Sequence, residues 1–307
     1  MTHKSSARKI IVCVIAFTLL FLGVVAGQDN KPSTEPLVKF NLMVTDRTDR
    51  VVDDVRKEAL QISDDGGPQA ITYFAKDERP ITCGFVVDAS GSVRRMLAEL
   101  IDSTKAVTTG LRENDEAFVA RFVGRDNFRI KHEMTGDLES INDSIDDIYV
   151  EGGQTALHDA IDQALTYLEE NSGSNPRSRH RILVLVSDGE DRASKIKDSQ
   201  EILARVRKSD VQIFILGLTK FSGLQSANKA TGFLSNLAEQ SGGRALFPDF
   251  PGRMQDAAKE IARSLHMQFM VGYAAGSKPG ERRIQIKWIG GDASKRRLIV
   301  RPVVTEG

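Results

Sequence analysis

Cysteine is nearly absent from this 307-residue chain: there are two, Cys13 and Cys83. Cys13 sits in the middle of an N-terminal apolar run and Cys83 inside a strand-like apolar stretch. With Cys13 removed, no intramolecular disulfide can form, and Cys83 reads as a small buried hydrophobe. Charge of one sign is not in excess either, with 42 Lys and Arg against 42 Asp and Glu. So neutral a chain suggests neither nucleic acid nor an anionic membrane as partner. His132, His158, His180 and His266 are scattered over unrelated elements, and H-E-x-x-H and Cys/His spacings are missing, which argues against zinc. There is no G-x-S-x-G elbow and no G-x-x-x-x-G-K-[ST] phosphate loop, so the common nucleophile and nucleotide motifs are excluded. Tryptophan occurs once, and Trp288 and Tyr273 read as core rather than as a stacking platform.

A long apolar run occurs only at the N-terminus. Lys4, Arg8 and Lys9 precede Ile10 to Val25, and Ala26-Gly27 precede polar Gln28-Asp29-Asn30. Basic start, apolar middle and small residues before a polar start mark a secretory signal peptide over residues 1–27. The alternative is an uncleaved anchor, since about sixteen apolar residues approach the lower limit for spanning a bilayer. The expectation is a secreted or periplasmic protein, membrane-anchored outside the cytoplasm if the segment is retained. Removing residues 1–27 leaves 39 basic against 42 acidic side chains. Residues 28–36, polar with two prolines, read as a linker.

From residue 80 to 267 apolar runs alternate with helical periods, the pattern of a doubly wound, mostly parallel sheet flanked by helices. Ile81–Asp88, Glu116–Val123, Arg181–Asp188 and Val211–Leu218 are the expected strands, with the more polar Phe128–Met134 at an edge. Met96, Leu100 and Val107 make one helical face, Leu157, Ile161, Ala164 and Leu168 another, and a final helix spans about 252–266. Residues 37–77 carry a hairpin pattern: Val38–Val44 alternates, and Asp64-Asp65-Gly66-Gly67 turns before Ala70–Phe74. Residues 268–303 supply three more strands. Neither flank can bury a core alone, so the two are expected to form one small β-domain. Arg282, Arg283, Lys287, Lys295, Arg296, Arg297 and Arg301 read as charges on its wet side.

The chemistry lies after three of these strands. Asp88-Ala89-Ser90-Gly91-Ser92 ends the first, Thr155 follows Gly152-Gly153-Gln154, and Asp188 ends Ile182–Val186. In open α/β sheets ligands gather at the carboxyl ends of strands, so all three segments point to one rim. Two carboxylates and three hydroxyls are hard oxygen donors suited to Mg2+ or Mn2+, and they leave the ion under-neutralised and attractive to an outside carboxylate. Turns and helix caps also favour Asp and Ser, which is the bland explanation for any one segment. A phosphatase reading of Asp88 fails because Ser90 stands where the second acid belongs.

These residues resemble the metal-ion-dependent adhesion site of the von Willebrand factor type A domain, D-x-S-x-S, then T, then D. All five positions are present, and Gly153–Ala160 and Ser187–Asp191 look like an exported bacterial subgroup. The resemblance implies that Ser90, Ser92 and Thr155 touch the metal directly, that Asp88 and Asp188 act through water, and that a partner's Glu or Asp completes the octahedron. His158 and Asp159 follow Thr155 closely, with Asp159 expected to face solvent or cap the helix. The expected function is a non-enzymatic, exported module that captures a carboxylate of a protein partner through a divalent cation. An envelope assembly factor with a peripheral metal site is the alternative, and a metal-dependent hydrolase is the weaker third reading.

Overall fold

In the computed structural model, the central sheet has six strands, the five expected and a short edge strand, Arg244–Leu246, that the apolar runs do not mark. The residues described are 37–173, 178–221, 227–274, 280–291 and 293–304. The expected leader and linker lie outside them. In chain order the strands are β1 (Leu37–Asp46), β2 (Leu60–Asp64), β3 (Gly67–Gln69), β4 (Ile71–Lys76), β5 (Ile81–Asp88), β6 (Glu116–Phe122), β7 (Phe128–Thr135), β8 (His180–Ser187), β9 (Gln212–Gly217), β10 (Arg244–Leu246), β11 (Phe269–Ala274), β12 (Arg282–Trp288), β13 (Arg296–Val300) and β14 (Val303–Val304). The helices are α1 (Leu97–Thr108), α2 (Leu138–Asp146), α3 (Leu157–Asn171), α4 (Ser199–Lys208), α5 (Ala227–Gln240) and α6 (Met254–His266).

The central sheet runs β10-β9-β8-β5-β6-β7. All its pairings are parallel except the last, where β7 runs antiparallel at the edge. β5, β8 and β9 are buried on both faces, which is why they read as unbroken apolar runs. Alternate residues feed two cores. Phe85, Val87, Val184 and Val186 meet α1 and α6 through Leu100, Val107, Ile261 and Leu265. Val86, Leu183, Leu185 and Ile213 meet α3, α4 and α5 through Ile161, Leu165, Val206 and Leu234. The fold is therefore doubly wound, as expected. Cys83 is buried and free.

The flanks form two antiparallel sheets, β13-β1-β11-β4 and β14-β12-β2-β3. Each contains strands from both ends of the chain, and they share a core of Phe40, Leu42, Ile62, Val271, Tyr273 and Ile284. The expected hairpin needs correction. β1 does not pair with β4; both pair with β11 and lie on either side of it. The turn at 64–67 joins β2 to β3 instead. Its central residues Asp65 and Gly66 have φ of 47° and 87°, the mirror-image turn that matches strand twist. β1 takes both its partners, β11 and β13, from the C-terminal flank.

The wet-side reading of the C-terminal cations also needs correction at two positions. Arg282 is buried and donates to Asp64 at 2.7 Å, beside the Tyr273 hydroxyl that donates to the same oxygen. Arg301 turns inward and donates to the carbonyls of Ser209, Val211 and Ser241, at the C-terminal ends of α4 and α5. A cation there complements the helix dipoles.

Two junctions tie the flanks to the central fold. The loop after β1 reaches α6: Glu260 Oε1 accepts from Val51 N at 2.7 Å, and buried Arg244 donates to Ser264 and to the Asp49 carbonyl. At the base of the sheet, buried Asp77 accepts from Asn41 and from both Arg79 nitrogens, while His180 Nδ1 lies 3.8 Å from it.

Deleting residues 268–307 removes both partners of β1. The amides of residues 38–45 should lose protection in hydrogen exchange while those of β5 and β8 keep it. Retained protection across β1 would contradict this arrangement.

The base junction makes stability fall with acid. Burial lowers the His180 pKa from 6.5 to about 4, with Asp77 opposing. For Asp77 burial acts upward, but the Arg79 hydrogen bonds and the His180 and Arg79 charges outweigh it and lower the pKa from 3.8 to about 2. Both folded values lie below the unfolded ones, so the unfolded chain binds more protons and each contribution is lost as the pH falls. The His180 contribution, up to about 3 kcal/mol, is complete above 6.5 and disappears toward 4. The Asp77 contribution follows between 3.8 and 2. Melting temperatures across this range should decline below 6.5 in the wild type, and His180→Gln should flatten the first arm.

Candidate functional site

The site is built from the carboxyl ends of β5 and β8 and the loop that precedes α3. Asp88 is the last residue of β5 and Asp188 follows β8. β5 and β8 are hydrogen-bonded neighbours, which puts both acids on one rim. Asp88, Thr155 and Asp188 are fully buried and Ser90 nearly so, while Ser92 is half-buried.

Backbone hydrogen bonds lace the three segments together. Ala89 N donates to the Phe122 carbonyl and Glu151 N to the Ala89 carbonyl. Arg192 N and Ala193 N both donate to the Thr155 carbonyl at 2.9 Å. Gly152 and Gly153 have φ of 90° and 94°, so the loop that delivers Thr155 needs residues without a Cβ. Arg121 and Asn127 both donate to Glu151 and fix that loop from the β6 side.

The side chains divide into satisfied and unsatisfied oxygens. Asp88 Oδ1 accepts from Ser90 N at 3.0 Å and Oδ2 from the Ser187 hydroxyl at 2.8 Å. Ser90 Oγ and Ser92 Oγ are 2.9 Å apart. Asp188 Oδ1 accepts from Glu190 N at 3.0 Å. Thr155 Oγ1 and Asp188 Oδ2 are buried with no hydrogen-bond partner. Burial, then the neighbouring Asp188 charge, pushes the Asp88 pKa upward. No Lys or Arg pairs with either acid among the described residues. A buried carboxylate oxygen and a buried hydroxyl without donors are costly to leave bare. Both are hard oxygen donors, so the set fits a hard divalent cation. Among the described residues no group of three His, Cys, Asp or Glu is placed to hold a metal ion; the set here is two carboxylates with hydroxyls.

Sequence reasoning missed Ser187, which orients Asp88. Its only signal is its place one residue before Asp188. The expectation for Asp159 needs correction: it is buried, and its two carboxylate oxygens accept from Lys195 N at 2.8 Å and Ile196 N at 3.0 Å. Neighbouring His158 is buried as well, with Nδ1 3.0 Å from the Ile196 carbonyl and its ring against Phe233. These two residues hold the loop after β8 against the start of α3. A carboxylate facing inward accepts two backbone donors of that loop and fixes its conformation.

A doubly wound α/β sheet with a Ser, Thr and Asp rim at its carboxyl end defines a class of ligand-binding domain. The model of the von Willebrand factor type A domain matches residues 84–266, more than half of the chain, and the protein belongs to that family. Domains of this family commonly serve as protein-interaction modules and are usually not enzymes. Among solved structures, a von Willebrand factor type A protein from Catenulispora acidiphila is 13% identical, with 87% of this chain and 72% of that one covered and a TM-score of 0.51. An aerotolerance-related membrane protein from Bacteroides fragilis is 18% identical over 60% of this chain and 98% of its own, with a TM-score of 0.46. The PilB minor pilin from Streptococcus sanguinis is 14% identical over 63% of each chain, with a TM-score of 0.47. No curated protein sequence matches the chain.

Asp159→Ala should cost about 1–2 kcal/mol, because two part-buried backbone N–H groups lose their charged acceptor. Asp159→Asn, which keeps one acceptor oxygen, should recover part of it. Chemical denaturation gives the cost, and faster exchange confined at first to the 195 and 196 amides identifies the loop as its source.

Proposed function

We propose that Asp88, Ser90, Ser92, Thr155 and Asp188 hold one Mg2+ or Mn2+ ion, and that the ion captures a Glu or Asp side chain of a protein partner outside the cytoplasm. The observation that carries this reading is the pair of buried oxygens without donors, Thr155 Oγ1 and Asp188 Oδ2, beside the raised Asp88 carboxyl. A divalent cation would satisfy the bare oxygens and neutralise the two like charges together. Hydroxyl ligands leave much of the ion's charge unspent, and an incoming carboxylate supplies the remainder. The N-terminal leader pattern supports export. Among the described residues no helix is long and apolar enough to cross a membrane.

The test uses the fact that Thr155 Oγ1 makes no hydrogen bond within the protein. Thr155→Val keeps the volume and removes the hydroxyl, so the metal-free protein should melt at an unchanged or slightly higher temperature. Its Mg2+ affinity by calorimetry should drop on the order of 10- to 100-fold, the scale for losing support around a metal. Thr155→Ser should retain most of the affinity. Equal Mg2+ affinity in wild type and Thr155→Val would remove the ion from the site. Partner capture from envelope extract should fail in chelator; capture that persists there would favour the assembly-factor reading.

A further inference from the structure

A cavity of about 1360 Å3 lies at the other end of the central sheet from Asp88 and Asp188. One wall is the base of that sheet, where Arg79, Arg179 and Asp210 precede β5, β8 and β9. The facing wall is the outer surface of the sheet β13-β1-β11-β4. There Lys39, Gly272 and Tyr73 stand side by side, followed by Asn41, Met270 and Ala75. Leu37 and Tyr73 remain 41% and 37% exposed in a sheet whose opposite face is core.

The lining carries seven Lys and Arg against three Asp and Glu. Arg79, Arg179 and Arg181 have carboxylate partners. Lys208 has none among the described residues, and Lys39 lies over the Tyr73 ring with its ammonium 4.2 Å from the centroid. Arg301 donates only to carbonyls. The cleft thus has an apolar surface and two lysines, Lys39 and Lys208, that are available to take an anion.

Two bordering strands also keep backbone edges unpaired among the described residues. β4 ends its sheet, and β1 is paired by β13 only from Leu42 to Asp46, leaving 37–41 open on that side. Free N–H and C=O groups along an edge recognise polypeptide and not lipid. The cavity also exceeds the roughly 300–1,000 Å3 usual for a small molecule.

We infer that this cleft binds an extended acidic segment of a partner polypeptide, with apolar side chains on the Leu37, Tyr73 and Met270 surface and carboxylates toward Lys208 on the facing wall and toward Lys39 beside Tyr73. A strand's alternation places the two side-chain types on opposite faces, one toward the apolar sheet surface and the other toward Lys208. The site needs no metal and stands apart from the reading of the Asp88 rim.

The probe is a fluorescent peptide of about eight residues alternating Glu and Leu, with a Gln and Leu version for comparison, matching strand period. Anisotropy is measured with the full chain in chelator. The acidic peptide should bind and the neutral one much more weakly. Lys39→Glu combined with Lys208→Glu should weaken binding on the order of tenfold or more. Both side chains are exposed, so an unchanged melting temperature is expected for that variant. Thr155→Val should leave peptide affinity unchanged. The inference is overturned if neither peptide binds, if both bind equally, or if the charge reversal has no effect. Loss on Thr155→Val would move the peptide to the rim, and displacement by phosphatidylglycerol vesicles would assign the cleft to a membrane surface.

Discussion

Asp88 and Asp188 are two fully buried acids on neighbouring ends of β5 and β8, with no basic side chain bonded to either among the described residues. Like charges in so dry a place are expensive, and the surroundings are arranged to reduce that expense. Ser90 N and the Ser187 hydroxyl donate to one acid and Glu190 N to the other. Those donors exist only because the chain turns sharply after each strand, so the loop conformations follow from the carboxylates they serve. The loops are held from outside in turn: Asp159 takes two amides of the segment after β8, and Arg121 with Asn127 grips Glu151. What the protein leaves unmade at the centre is one oxygen of Asp188 and the hydroxyl of Thr155. The proposed ion is the group that would complete both at once.

The flanks impose a second constraint. β1 obtains both its partners from the far end of the chain, so the central domain sits inside a loop closed by β11 and β13. Closing so long a loop costs entropy that grows only slowly with length. The shared core of Phe40, Leu42, Ile62, Val271 and Tyr273 is large enough to offset it. The closure reaches the central domain through buried polar links and not through apolar surface alone. Glu260 with Arg244 joins the β1 loop to α6, and Asp77 with Asn41 and Arg79 joins β1 to the start of β5. Links of this kind are directional, so they set how the flank lies on the base of the sheet.

The central strands were legible because burial on both faces leaves an apolar run with no competing pattern, and β5 occupies Ile81–Asp88 as read. The five rim residues were legible because each stands where a strand ends or a helix begins, positions that the pattern itself marks. The partner of β1 was not legible: alternation fixes which face is buried but carries no record of which strand lies beside it. The inward turn of Asp159 was hidden for a related reason. An acid in the first turn of a helix has good reason to face solvent, and only the return of residues 195 and 196 in space gives it backbone donors. Arg282 and Arg301 look like their exposed neighbours because period-two alternation does not register a partner such as Asp64 or a helix end.

The two ends of the central sheet have opposite electrostatic needs, and topology alone separates them. Parallel strands place every carboxyl end on one rim and every amino end on the other, about 25 Å apart for strands of eight residues. At the carboxyl rim the loops gather acids and hydroxyls around β5 and β8. At the base, the chain enters β5 and β8 through Arg79, Arg179 and Arg181, and α4 and α5 end there with carbonyls that Arg301 covers. Helix C-termini attract cations, so a basic base is the natural complement of a doubly wound sheet whose helices run antiparallel to its strands. The flanking sheet faces that base with Lys39 and the half-exposed Tyr73, and the surplus charge therefore opens onto a cleft and not onto bulk solvent. An acidic strand in the cleft and a carboxylate on the proposed ion would be bound by different physics at opposite ends of one sheet. The first depends on fixed cations and a free backbone edge, and salt would weaken it. The second depends on a cation that a chelator can remove.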